Sequence, residues 1–112
     1  MIVDLNKLNG IEVENFKNGD GSVNLSKINE LGDLLNNLAK IIIHPHSSIG
    51  HHIHTNDSEI IYCIKGVGMV YDKDQYLELK EGMLNIIDQG EHELINNTDE
   101  ELIILIIVIK RN

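Results

Sequence analysis

Hydrophobic and polar positions along the chain fall into short runs separated by turn-forming residues. Ala39 to His44 reads Ala-Lys-Ile-Ile-Ile-His, rich in β-branched residues, and stops at Pro45, which has no amide hydrogen to offer a sheet. Ile60 to Lys65 is a second such run, closed by Gly66-Val67-Gly68. Met69 to Tyr71 and Tyr76 to Lys80 flank Asp72-Lys73-Asp74-Gln75 and read as the arms of a hairpin. In the second arm Tyr76, Glu78 and Lys80 share one face, and Leu77 and Leu79 the other. Glu81-Gly82 marks a turn, Met83 to Ile87 a strand, Asp88 to Glu91 a turn, His92 to Ile95 a strand, and Asn96 to Glu101 a polar loop before a last run from Leu102 to Ile109. Strands this short, recurring every 8 to 12 residues or so without helical stretches between them, predict an antiparallel all-β sandwich or barrel.

Three segments add to that picture. Ile28, Leu31, Leu34, Leu35 and Leu38 recur at three- to four-residue steps, which predicts a turn or two of helix, weakened by Gly32 and by Asn36-Asn37. Residues 1 to 24 predict an entry segment that turns at Asn18 to Gly21 and carries little function. The final run, Leu-Ile-Ile-Leu-Ile-Ile-Val-Ile, has no polar alternation, so both its faces are expected to be covered. The barrel interior covers one; a second sheet or a second subunit covers the other, and a homodimer is the expectation.

A chain of 112 residues predicts one domain, 1–112, with a barrel over about residues 39–109 behind an N-terminal segment, 1–38. Its formal charge of -9, with only nine scattered Lys and Arg, argues against nucleic acid or an anionic membrane as partner. The longest apolar run is far short of the roughly 20 residues that span a bilayer as a helix. Cys63 is the single cysteine, so no internal disulfide forms, and no signal-peptide pattern opens the chain; a cytoplasmic protein is expected.

Chemistry concentrates in one place. His44, His46, His51, His52 and His54 are five of the six histidines, and Glu59 follows shortly after. In a strand, His52 and His54 face the same side while His51 and Ile53 face the other. Thr55-Asn56-Asp57-Ser58 is turn-prone, so Glu59 can return on the neighbouring strand and add a carboxylate to the imidazoles. His44, His46 and His51 read as flanking residues. Cys63, in step with Glu59 and Ile61, reads as a small buried hydrophobe and not as a nucleophile.

The series His52-x-His54-x4-Glu59-x6-Gly66 resembles the first motif of the cupin superfamily, and Gly82 through His92 and Asn96 resembles the second. The resemblance implies a small jelly-roll β-barrel, a double-stranded β-helix with little or no helix, and a divalent transition metal held by His52, His54, Glu59 and His92. Mn, Fe, Ni, Co and Zn all suit such a set. His46 stands where the family has glycine, Asp88 where it has proline, and the second motif is one residue short between Gly90 and His92, which makes Glu93 a rival for the inward position. The preserved His92-x3-Asn96 spacing and the inward placement of Leu94 favour His92. Ile61, Cys63, Ile87 and Leu94 are the expected cavity-lining residues, with no Lys or Arg facing in, which disfavours a sugar phosphate. The family's example implies a metal-dependent enzyme acting on a small organic molecule, of isomerase, dioxygenase or decarboxylase type. The alternatives are a non-catalytic binding or sensing module and a purely structural metal site.

Overall fold

The unbroken apolar run at the end of the chain does alternate, in burial. Leu102, Ile104, Ile106 and Val108 are buried, while Ile103, Leu105 and Ile107 are half-buried. This strand, β10 (Leu102–Lys110), runs through the larger of two sheets in the computed structural model, which describes residues 1–111. The other strands are β1 (Ile11–Glu14), β2 (Ser22–Lys27), β3 (Asn37–Ile43), β4 (Ser48–His54), β5 (Asp57–Lys65), β6 (Val67–Asp72), β7 (Gln75–Lys80), β8 (Leu84–Ile87) and β9 (Gly90–Ile95). Six form one sheet in the order β1-β2-β3-β10-β5-β8, and four form the other, β4-β9-β6-β7. Every pairing is antiparallel. Among the described residues no helix is long and apolar enough to cross a membrane.

The register of the large sheet stacks its inward residues in rows. Leu25, Ile41, Ile104 and Cys63 make one row; Ala39, Ile106, Ile61 and Asn85 make the next; Asn37, Val108, Glu59 and Ile87 make the row at one end. Aliphatic side chains fill the interior, and each fully buried one contributes about 1.5–3 kcal/mol. In this sheet the inward polar side chains Asn85, Asn37 and Glu59 fall in the last two rows, toward the end that carries the candidate site.

Two expectations are corrected. Ile28 to Leu38 forms no helix: Gly32 takes a left-handed φ of +55°, only a three-residue 3-10 turn spans Gly32–Leu34, and Leu38 belongs to β3. The apolar spacing has nothing to pack on, since Leu31 and Leu34 are 50% and 76% exposed. The N-terminal segment is no mere entry either. Strands β1 and β2 extend the large sheet, and Val23 and Leu25 are buried in the same core as the residues that follow.

One buried polar side chain ties the ends of several strands together. Asn96 is fully buried and offers its amide hydrogens to the carbonyls of Ile43, His44 and Glu100 at 2.8–3.2 Å, while its own oxygen accepts from the amide and hydroxyl of Thr98. Its backbone amide donates to Ser47. Asn96 therefore joins the end of β3, the approach to β4 and the loop before β10. Asn96→Ala strips buried carbonyls of their donors and is expected to lower stability by about 2–3 kcal/mol; a urea-unfolding midpoint unchanged from wild type would contradict this.

Candidate metal centre

Strand β4 carries its two inward histidines because it is interrupted. Ile49 pairs with Leu94 and His52 with His92, so β4 advances three residues while β9 advances two. The extra residue is a bulge, and it lets Ile49 and His52 both face inward although three positions apart. Gly50 sits in the bulge, where a Cβ would lie 2.0 Å from the Lys17 carbonyl oxygen and 2.5 Å from the Gly19 amide nitrogen. Only glycine fits. Past the bulge strict alternation resumes, so His52 and His54 turn inward while His51 and Ile53 are exposed.

On β9 His92 lies directly across from His52, and Gly90 across from His54. The one-residue shortfall before His92 is absorbed at Gln89 and Gly90, whose φ values of 75° and 112° make a tight entry to the strand. His92 is fully buried. Glu93 faces the other way, where its carboxylate accepts a 2.7 Å hydrogen bond from the Tyr76 hydroxyl. Glu59 arrives from β5 in the facing sheet and is 4% exposed.

These residues converge. Donor atoms of His52, Glu59 and His92 all lie within 4.8 Å of one another. Ring centroids of His52 are 5.0 Å from those of both His54 and His92. His54 adjoins the set through Glu59, with Nε2 2.5 Å from Oε2, yet the contact lacks hydrogen-bond geometry. His54 Nε2, Glu59 Oε2 and both ring nitrogens of His92 are buried with no hydrogen-bond partner. Orphaned polar atoms cost about 1–3 kcal/mol each when nothing compensates them. A cation among them would supply the missing partner, so the residues fit a metal.

The backs of the rings are held as metal-ligating imidazoles are held. His52 Nδ1–H donates to the Gly50 carbonyl at 2.7 Å, and His54 Nδ1–H donates to the Asp57 carboxylate at 2.7 Å. Each bond fixes a tautomer that leaves the Nε2 lone pair free. Burial lowers the pKa of His92 to about 4, and burial likewise lowers that of His52. Both are neutral at pH 7, as donors must be. The Glu59 and Asp57 carboxylates raise the pKa of His54 despite its partial burial.

A cavity of about 240 Å³ opens onto this group, and its walls differ from those expected. Ile61, Cys63, Ile87 and Leu94 point inward but are buried in the packed core. The cavity is lined by Ile41, Ile49, Ile106 and Val108 from the sheets, and by Phe16, Lys17, Asn36 and Asn37 from the N-terminal third of the chain. Alternation tells inward from outward, not how far along the barrel a residue sits. Lys17, an exposed residue, stands on the cavity lining, where no Lys or Arg was expected. The turn cluster at Asn18 to Gly21, with alternating strands on either side, was the available sign of a loop folding back over the barrel. The flanking histidines are engaged elsewhere: His44 with Glu12 and Glu101, His46 with Asp99, His51 with Glu91.

His52→Ala and His92→Ala are each expected to cut bound metal to under about a tenth of wild type, read by elemental analysis of purified protein. Asp57→Asn is expected to weaken metal affinity about 10–100-fold without abolishing it. Undiminished metal in His92→Ala would remove His92 from the centre.

Comparison with known proteins agrees with this geometry. The family model for the cupin domain matches residues 39–108. A protein of Thermotoga maritima described as an oxalate-binding protein is 29% identical over 115 residues, covering 97% of this chain and 95% of the relative. The crystal structure of a predicted oxalate decarboxylase from Thermotoga maritima superposes with a TM-score of 0.91 at 26% identity, covering 98% of this chain and 99% of that one. Ectoine synthase from P. lautus shares the fold at a TM-score of 0.74 and 15% identity, over 100% of this chain and 79% of that one. With its three histidines on one sheet of a jelly roll, its glutamate on the facing sheet, and a family match over residues 39–108, this chain belongs to the cupin family.

Proposed function

We propose that this cupin holds a divalent transition metal with His52, His54, Glu59 and His92 and uses it toward a small dicarboxylate such as oxalate. The observation that carries the reading is the convergence of buried, unpartnered nitrogen and oxygen atoms at the end of a cavity of about 240 Å³. A metal bound there supplies a Lewis acid that polarises a carboxylate oxygen. The chain's own residues do the rest. Gly50 and Asp57 keep the imidazoles oriented, and Ile41, Ile49, Ile106 and Val108 exclude water around the ligand. The names of the relatives, one oxalate-binding and one a predicted oxalate decarboxylase, support the same class.

The protein is further read as a homodimer of the cytoplasm. Outward residues of the large sheet, among them Ile42, Ile60, Ile103, Leu105 and Ile107, are aliphatic and half-buried, and Leu84 and Ile86 beside them are 57% and 62% exposed. Among the described residues no further sheet covers them, and a second copy offers an equally apolar, self-complementary face. The unpaired, buried Cys63 supports a reducing compartment.

Calorimetric titration with oxalate, before and after stripping with a chelator, tests the metal reading. Oxalate is expected to bind the metal-loaded protein and not the stripped one, and formate release in the same samples separates turnover from binding alone. Failure to load any stoichiometric transition metal sinks the reading. For assembly, Leu105→Glu is expected to shift a sedimenting dimer to monomer; a wild-type protein that sediments as monomer removes the dimer.

A further inference from the structure

The segment Asn15 to Gly19 brings Phe16 and Lys17 to the cavity lining and is held there at a cost. Asn15, Lys17 and Asn18 all take left-handed φ values, 52°, 53° and 63°, and none is glycine. For lysine, which has no short polar side chain to offset it, that conformation is unfavourable. Hydrogen bonds hold the loop in this shape. Gly19 N–H donates to Phe16, Asn18 N–H donates to Asn15, and the Asn15 side chain donates to the Gly19 carbonyl. Ser48 on β4 accepts from the Asp20 amide through its hydroxyl and donates its own amide to the Asp20 carbonyl. The Lys17 carbonyl rests on Gly50 of the bulge.

The result is one cation on a wall that otherwise holds imidazoles, carboxylates, amides and aliphatic groups. Lys17 lines the cavity, with Nζ 5.7 Å from the centre of the Phe16 ring. Among the described residues it forms no ion pair, whereas Lys80 and Arg111 do. Asp57, the other charged group on the wall besides Glu59, is engaged with His54. A dication held by Glu59 leaves one charge of a dicarboxylate unmatched, and Lys17 is the group placed to match it.

We infer that Lys17 is the specificity-determining residue of the cavity, binding the far carboxylate of a small dianion whose near carboxylate meets the metal. This rests on the metal-and-dicarboxylate reading above and adds to it a residue, a charge and a direction. A dianion is therefore expected to bind more tightly than its neutral analogue.

The test compares wild type, Lys17→Gln and Lys17→Arg by calorimetric titration with oxalate and with oxamide, its neutral diamide, with metal content measured on every sample. Lys17→Gln is expected to keep its metal and to bind oxalate about tenfold more weakly, the size of one lost charged hydrogen bond. Lys17→Arg is expected to recover most of that loss, and oxamide to discriminate little among the three. Equal oxalate affinity in wild type and Lys17→Gln at equal metal content overturns the inference and leaves the metal reading standing. Loss of metal from Lys17→Gln also overturns it, since the residue would then act on the fold. If wild type loads no metal, the metal reading fails by itself. The same oxalate comparison on the metal-free chain then judges Lys17, and no binding or no difference overturns its role.

Discussion

Glu59 is a carboxylate inside an aliphatic barrel, and the rest of the site is the answer to what that costs. It is 4% exposed, its Oε2 has no hydrogen-bond partner, and its cross-strand neighbours are Val108 and Ile87. An isolated buried charge is unfavourable by far more than the net stability of a domain this size unless something compensates it. Three imidazoles on the facing sheet are brought to bear on it, two of them kept neutral by burial. The bulge in β4, the tight entry to β9 and the hydrogen bonds behind His52 and His54 all bring lone pairs to the carboxylate. Without a cation, that arrangement is a set of uncompensated polar atoms.

Much of this was legible from the residues. The strand parity of His52 and His54 follows from alternation alone, and the bulge preserves it because the interruption falls before His52. The choice of His92 over Glu93 follows from the same rule applied to Leu94 and Asn96, both of which are buried in step with it. The β-rich runs and their turns were placed within a few residues, since each rests on local composition.

What was not legible depended on level and on distance. Ile61, Cys63, Ile87 and Leu94 have the inward parity that alternation assigns, yet they occupy the packed interior, and the cavity walls come from residues elsewhere in the chain. Lys17 was invisible because its position follows from a left-handed backbone seated on a glycine far along the sequence. The spacing of Ile28 to Leu38 suggested a helix, but a stripe of leucines makes a helix only where a surface waits to bury it, and Leu31 and Leu34 face solvent. Asn96 looked like part of a ligand motif and is instead a strand-end tie.

Strand β10 is apolar on both faces, and this has a bearing on how the chain finds its own alignment. A strand with one greasy side reports a one-residue slip at once, because its buried set turns to water. β10 gives no such report: slid by one, it would still present isoleucine to the interior. Its neighbours must enforce the alignment, and on β5 a one-residue slip would turn Glu59 to the outer face, away from the histidines. The acid that defines the chemistry thus doubles as the notch that keeps the central strands in step.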